Sequence, residues 1–404
     1  MMLNEINTLS NDNISPLHWH RERLDWERHV ELKLFENRFH IFYRMNYDTF
    51  IKLYNVLSPY IHRDLTKCTS AEPISNILVV ACGLRYLAGE KIRSLESDFG
   101  ISKSSTYVVR ELFINAVLSC PDLDVCFPSN LMELNATANG FSRKSSEPIF
   151  CGCVGAIDGF FAPIEMPNVK DCFGNQKQYY SGHYRMYGLN VQAVVDSNLR
   201  FSYFSVSGPG SMNDCRSYKR SDLKPVIDSL PDGFYIIGDA AYPLSNKLLI
   251  PFVGSQRLDR SKDAYNFYLS QLRIRVEMAF GRMVRKWSIL QQKLCCSLEM
   301  NAKIIVACGR LHNFVLLNND NELDNPVNSV NIFPDGFEYS PTRIEDSEDF
   351  ESLISVSVLD NCRDRNIIVD YIRSQNFERP RYNISRNSGN ADLNDSNIFF
   401  HTVI

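Results

Sequence analysis

The sequence has no long hydrophobic run and no basic leader. Its longest apolar stretches, near residues 77–82 and 304–308 of 404, fall well short of the roughly 18 residues that a membrane span requires. The first residues, MMLNEINTLSNDNISP, lack the basic and apolar regions of a signal peptide. We therefore expect no membrane association and a chain that resides in the cytosol or the nucleus.

Cysteine pairs at metal-binding spacing are also lacking. The 12 cysteines include Cys151-x-Cys153 and the adjacent Cys295 and Cys296, but neither pair has a second pair at zinc-finger or zinc-ribbon spacing. Buried thiols in a reducing compartment are the simpler interpretation. The sequence therefore does not predict a thiolate metal site.

An overall excess of positive charge is absent as well. The net charge of -4 argues against a simple basic nucleic-acid binder, but the charges are unevenly distributed. Residues 257–286 carry eight basic and three acidic side chains, whereas residues 320–351 carry ten acidic side chains and one basic. A basic segment is compatible with a polyanionic substrate, although charge runs are usually just solvated surfaces.

Apolar periodicity predicts two parts that differ in secondary structure. Residues 1–120 show the three- and four-residue spacing of helices, and residues 148–318 contain several apolar strands followed by long helices. The segment 121–147 is rich in Pro, Asn, Ser and Thr, which predicts a linker. Residues 319–404 are expected to form an acidic loop, a short helix and a flexible tail. The predicted class is α+β or α/β, with a helical amino-terminal region followed by a part that contains strands and helices.

A helix-turn-helix outline lies within the first part. A short helix over Leu95–Phe99 would meet a turn at Gly100, and a second helix would be capped by Ser102 or Ser104. Val108, Val109 and Leu112 would then face inward. An ordinary helical hairpin has the same spacing and stays an open alternative.

Four acidic residues lie in positions that suit a catalytic site, although each has a simpler explanation. Asp158, in the Asp-Gly of VGAIDGFFAPI, favours a hairpin turn slightly over a continuous strand. Asp214 suits the first turn of a helix, and Asp239 either starts a turn or sits at the end of the buried strand FYII. Glu277 lies at the edge of a buried helical stripe beside Arg273.

Asp158, Asp239 and Glu277 together fit one chemistry. Two divalent cations about 3.5–4 Å apart can hold the attacking and leaving oxygens of a phosphodiester. Mg²⁺ and Mn²⁺ prefer carboxylate oxygens to thiolates. Carboxylates on a first strand, after a later strand and on a following helix could converge on such a pair of ions.

The motifs and their order resemble the PIF/Harbinger-type transposases and the nuclease-like proteins derived from them. The resemblance spans about 35–375 and is carried by GAIDGFFAPI, YYSGHYRMYGLNVQAVVDSNLRFSYFSVSGPGSMNDCRSY, GDAAYPLSNKLLIPF and RIRVEMAFGRMVRKWSIL. It implies an RNase H-like fold, a mixed five-stranded sheet flanked by helices, with a DDE catalytic centre. On this view Asp158 lies on the first strand, Asp239 follows the fourth strand and Glu277 lies on a late helix.

The resemblance also implies roles for individual residues. Asp158, Asp239 and Glu277 would be the catalytic triad, with Asp158 bridging two Mg²⁺ or Mn²⁺ ions and Asp214 an outer or alternative ligand. The reaction would be metal-dependent hydrolysis of DNA that leaves a 3′-hydroxyl, followed by strand transfer in a full transposase. The residues expected along the DNA path are His183, Arg185, Arg273, Arg285 and Lys286.

Partners and location follow only from the resemblance. It implies DNA as substrate and a separately encoded Myb-like DNA-binding protein as accessory partner, and it leaves room for a homo-oligomer. The expected location is the nucleus, or the cytoplasm until a partner imports the protein. A domesticated protein that binds DNA, chromatin or a partner without cutting is the competing hypothesis. A helix-turn-helix regulator without catalysis would leave the carboxylates unexplained.

Overall fold

The computed structural model describes residues 22–62, 73–318 and 365–380. They separate into two units. The first contains the described residues up to Asp122 together with Lys286–Ile289 and residues 317–318, and the second contains the other described residues, including the sheet. The predicted acidic loop (320–350) and most of the predicted tail lie outside the described residues. Within the described ranges, no helix is both long enough and apolar enough to cross a membrane.

The first unit consists of helices, as the periodicity predicts. Its described helices are α1 (Trp26–Phe35), α2 (Phe39–Tyr43), α3 (Tyr47–Leu57), α4 (Asn76–Leu87), α5 (Ile92–Phe99) and α6 (Lys103–Ser119). Several begin at side-chain caps; Asn46, for example, accepts a hydrogen bond from the backbone N–H of Thr49 at 2.9 Å, which satisfies a donor that the helix leaves free.

The predicted turn between α5 and α6 is present. Gly100 has a left-handed φ of 58°, and a Cβ there would lie 1.9 Å from the carbonyl oxygen of Glu22, so glycine is required. Ser102 caps α6 by accepting a hydrogen bond from the N–H of Ser105 at 3.1 Å. Val109 is buried, but Val108 is 56% exposed, so its predicted inward position is wrong. A DNA-binding role for this helix pair stays a prediction.

The second unit is built on a mixed sheet, which has six strands among the described residues rather than the five that the resemblance implies. Its strands are β1 (Cys153–Pro163), β2 (Tyr180–Ser181), β3 (Met186–Val195), β4 (Phe201–Pro209), β5 (Tyr235–Ile237) and β6 (Leu248–Leu249). β1 pairs antiparallel with β3 and parallel with β5, β3 pairs antiparallel with β2 and β4, and β5 pairs parallel with β6. A turn that begins at Asp196 joins β3 to β4.

Helices precede, separate and follow these strands along the chain. They are α7 (Leu131–Ser142), α8 (Asp214–Arg220), α9 (Leu223–Asp228), α10 (Arg260–Lys286), α11 (Leu298–Leu317) and α12 (Arg365–Ser374). The buried stripe predicted for α10 is confirmed, since Val276, Phe280 and Met283 are all buried. The prediction of a loop throughout 121–147 is wrong, because α7 occupies its centre and buries Leu134 and Ala138 in the core.

The two faces of β1 contact different elements, because successive side chains of a strand alternate between faces. Ile157 belongs to a core that also contains Val194, Tyr218 and Ile236. On the other face, Phe160 stacks on Phe280 of α10, with ring centroids 5.3 Å apart. Asp158 lies on the same face as Phe160 and therefore faces α10.

Candidate active site

Asp158 lies in the middle of β1, so the hairpin that its Asp-Gly sequence favoured is wrong. The strand continues without a turn from Cys153 to Pro163, and Asp158 pairs in register with Ala193 of β3. Its Oδ1 accepts a hydrogen bond from the N–H of Gly159 at 2.8 Å. Its side chain is only 19% exposed. Burial raises the pKa of Asp158 to about 7, with Arg273 opposing the shift and the charge of Asp239 adding to it.

Asp239 follows β5, the strand next to β1. The parallel register pairs Ala156 with Ile237, and two residues further along both chains come Asp158 and Asp239. Neighbouring strands lie about 4.8 Å apart, so this register brings the two aspartates side by side at the carboxyl end of β5. Asp239 Oδ1 accepts a hydrogen bond from the N–H of Ala241 at 2.9 Å. Burial raises the pKa of Asp239, against the opposing effect of that hydrogen bond.

Glu277 reaches the same region from α10 through Arg273, one helical turn earlier. The Arg273 guanidinium lies 2.8 Å from Glu277 Oε1 and 3.8 Å from Asp158 Oδ2. One cation thus contacts both carboxylates, and Glu277 also raises the pKa of Asp158. The predicted pairing of Glu277 with Arg273 is present, and it also brings the glutamate toward the strand aspartates.

The donor chemistry of this cluster fits a divalent cation. Asp158, Asp239 and Glu277 offer only carboxylate oxygens, which suit Mg²⁺ or Mn²⁺. Burial makes the ionised form of Asp158 costly, and a bound cation would remove that cost. Within the described ranges, no three His, Cys, Asp or Glu side chains are already drawn together as metal ligands. In this arrangement Arg273 supplies the positive charge.

Asp214, the fourth predicted ligand, lies against the opposite face of β1. A Cβ on Gly159 would fall 2.2 Å from Asp214 Oδ1, and Gly159 faces away from the side that carries Asp158. Asp214 is the first residue of α8, which Asn213 caps by accepting a hydrogen bond from the N–H of Arg216. The expected first-turn position is therefore confirmed. Its role as a metal ligand stays a prediction.

A buried amide pair on β3 holds Asp214 and was not anticipated from the sequence. Gln192 and Asn190 donate to Asp214 Oδ1 at 2.8 and 3.2 Å. Gln192 is fully buried and also accepts a 2.6 Å hydrogen bond from the hydroxyl of Tyr242. Two amides at alternate positions of the apolar strand GLNVQAVV are the signal that could have identified this network, because they must share one face.

The predicted DNA-path residues occupy three separate places. Arg273 lies in the carboxylate cluster. His183 and Arg185 are exposed around the short strand β2; the ring of His183 packs edge-on against Tyr184, and Arg185 adopts a left-handed φ of 52°. Arg285 and Lys286 end α10, about 12 Å along the helix axis from Glu277. Contact of these residues with DNA stays a prediction.

Comparison with known proteins supports the resemblance that the motifs indicated. Residues 157–313 match the family model described as DDE superfamily endonuclease. "Protein ALP1-like" from Arabidopsis thaliana is 26% identical over 273 residues, which is 63% of this chain and 64% of that protein. "Putative nuclease HARBI1" is 24% identical over 282 residues in Rattus norvegicus, covering 68% of this chain and 76% of the relative. The Homo sapiens protein of that name is 23% identical over 269 residues, covering 65% and 73%.

The coverage of these relatives is partial. The chain spans less than two thirds of the length of the Arabidopsis protein and about three quarters of the mammalian proteins. No solved structure is similar enough to count as a match. The matched family segment begins at Ile157 and ends at Asn313, so it includes Asp158, Asp239 and Glu277.

Proposed function

We propose, from the premise that residues 157–313 constitute a DDE superfamily endonuclease domain, that the protein is a metal-dependent DNA endonuclease of the DDE transposase type. It hydrolyses phosphodiester bonds at transposon ends, and a complete reaction would include strand transfer. The proposed fold of the second unit is RNase H-like. Its strand order, β4-β3-β1-β5-β6 with β3 antiparallel to its neighbours, supports this proposal.

The observation that carries the proposal is the convergence of three carboxylates from separate elements. Asp158 and Asp239 each lie two residues beyond Ala156 and Ile237, the last paired residues of β1 and β5, and Arg273 joins Asp158 to Glu277. A structural role alone does not explain this arrangement, because placing further carboxylates around Asp158, whose side chain is only 19% exposed, destabilises the fold. Perturbed carboxylates of this kind are typical of functional sites.

The proposed roles follow from the chemistry of the side chains. Asp158, Asp239 and Glu277 would hold the Mg²⁺ or Mn²⁺ ions. When bound, such ions act as Lewis acids that stabilise the charge developing on the phosphodiester oxygens. Arg273 would exchange its contact with Asp158 for a phosphate group, a ligand that suits the guanidinium fork. Asp214 would act as an outer ligand only by leaving its hydrogen bonds with Gln192 and Asn190 on the opposite face of β1.

DNA binding and location are parts of the same proposal. His183, Arg185, Arg285 and Lys286 would contact the phosphate backbone, which contributes affinity and little sequence information. Sequence recognition would come from the helix pair α5–α6 and from a Myb-like accessory protein, since the chain carries a net charge of -4. The proposed site of action is the nucleus.

A cleavage assay tests the proposal. Supercoiled plasmid and terminal-repeat DNA would be incubated with Mg²⁺ or Mn²⁺, with and without a Myb-like partner. Asp239→Ala would be compared with Asp232→Ala, which removes a carboxylate that is 61% exposed in a turn just before β5. We expect metal-dependent nicking by the wild type and Asp232→Ala, and none by Asp239→Ala. A folded wild type that cuts under no condition would refute the nuclease and favour the domesticated, non-cutting binding protein.

A further inference from the structure

Asp239 lies just outside the hydrogen-bonded part of the sheet. β5 has only three residues and ends at Ile237. Gly238 still donates to the carbonyl of Leu249 at 2.9 Å, but Asp239 lies beyond the ladder. A turn follows, in which the N–H groups of Ala241 and Tyr242 donate to the side chain and the carbonyl of Asp239 at 2.9 and 3.3 Å. Since Ala241 is exposed, the turn needs another anchor.

The side chain of Tyr242 provides that anchor. It is only 3% exposed and packs in the core beneath the sheet with Ile157 and Leu248. Its hydroxyl donates a 2.6 Å hydrogen bond to Oε1 of Gln192. Gln192 lies on β3, two strands away from β5, and pairs in register with Gly159 of β1. The tyrosine thus runs from the loop after β5, beneath β1, to β3.

The partner of Tyr242 is itself fixed. Gln192 is fully buried, and its amide nitrogen donates to Asp214 Oδ1 and Asn190 Oδ1 at 2.8 and 3.1 Å. With its nitrogen committed as a donor, Gln192 presents its oxygen to Tyr242 in one orientation. A buried network in which every member has a partner is rigid, and removing one donor leaves a buried acceptor unsatisfied.

We propose that Tyr242 is a positioning residue: its hydrogen bond to Gln192 fixes the loop that carries Asp239 and holds that carboxylate beside Asp158. The inference rests on the proposed nuclease function and adds a residue that touches neither substrate nor metal. Tyr242 would act on Asp239 through the backbone, because the N–H of Tyr242 donates to the carbonyl of Asp239 while the tyrosine ring is held in the core. Small displacements of a catalytic group reduce the rate strongly.

Tyr242→Phe tests the inference, with Tyr203→Phe as the matched control. Tyr203 also packs against this core and also donates a 2.6 Å hydrogen bond, but to the exposed Asp222. We expect Tyr242→Phe to lower kcat by about 10-fold with KM for DNA little changed, a loss of transition-state stabilisation alone. The Mn²⁺ concentration for half-maximal cleavage should rise several-fold. Tyr203→Phe should change neither quantity.

Amide hydrogen exchange in the metal-free protein separates this inference from the nuclease proposal. We expect faster exchange at Ala241 and Tyr242 in Tyr242→Phe, and unchanged exchange in Tyr203→Phe. If the wild type does not cut DNA, the nuclease proposal fails and this exchange result still decides the anchoring role. If Tyr242→Phe has the same amide exchange and the same Mn²⁺ dependence as the wild type, the inference is overturned. So would equal effects in both variants.

A double variant guards against a general loss of folding. Gln192→Met removes the acceptor while keeping the side-chain volume close to that of glutamine. If Tyr242 acts through Gln192, the rate of the double variant Gln192→Met/Tyr242→Phe should match that of Gln192→Met alone. Independent, multiplying losses would overturn the coupling on which the inference depends.

Discussion

The buried carboxyl of Asp158 should make the metal-free protein less stable as the pH rises. Its pKa is about 7 in the folded protein, against an ordinary value near 3.8. The unfolded chain therefore releases this proton at a lower pH than the folded protein does. Between those two values ionisation favours unfolding, so stability is lost as the pH rises toward 7 and stays low above it.

The variant Asp158→Asn isolates this contribution. Its amide oxygen can still accept the hydrogen bond from Gly159 N–H, while the ionisable group is gone. At about 1.4 kcal/mol per pH unit, the wild type should lose about 3 kcal/mol relative to Asp158→Asn between pH 5 and pH 8. For a unit of this size, the gap between their melting temperatures should widen by roughly 6–12 °C over that range.

The assay is thermal unfolding in EDTA at several pH values, which keeps divalent cations away from the site. Asp232→Asn is the control, because its side chain is 61% exposed and its removal should leave the pH dependence of the wild type unchanged. If the melting temperatures of the wild type and Asp158→Asn change in parallel from pH 5 to pH 8, burial does not govern the ionisation of Asp158. The electrostatic account of the site would then be wrong.

Three further predictions address packing, metal and the end of the chain. Gly159→Ala should destabilise the protein by about 1–3 kcal/mol, since a Cβ there meets Asp214. Gly281→Ala, with open space around it, should stabilise α10 by up to about 1 kcal/mol. Equal urea midpoints for the two variants would contradict the packing argument. Mg²⁺ at a hundred times its Kd should add about 2.7 kcal/mol of stability, and a thermal shift that survives in Asp239→Ala would remove that residue from the metal site. Ending the chain at residue 364 deletes α12, three of whose apolar side chains are buried, and should cost several kcal/mol; an unchanged melting temperature would show that α12 does not stabilise the fold.

Periodicity predicted the elements that carry the site, but not every local conformation. The stripe on α10 placed Glu277 at its edge beside Arg273, as the structure shows. The Asp-Gly sequence at 158 and 159 led to a wrong prediction of a hairpin turn, because the glycine there makes room for the side chain of Asp214. Glycine serves both purposes, and only the three-dimensional neighbour distinguishes them.

The segment 121–147 shows a similar limit. Its polar composition indicated a linker, yet Asn130 caps α7 by accepting a hydrogen bond from the N–H of Glu133 at 2.9 Å. Leu134, Ala138 and Phe141 then follow at helical spacing and are buried. The network around Gln192 was missed for a different reason. Its two amides share a visible spacing on β3, but their partners come from the loop after β5 and the start of α8, and no local pattern links these to β3.

The contact of Arg273 with both Asp158 and Glu277 has a consequence for the DNA-free protein. The site already contains a cation that belongs to the chain, so folding does not have to wait for a metal. Metal loading would then amount to cation exchange, in which Asp158 and Glu277 would give up their contacts with Arg273, and the arginine would be free to contact a phosphate. Metal and nucleic acid would thus favour each other's binding, and in a protein without either one Arg273 would stay paired with Asp158 and Glu277.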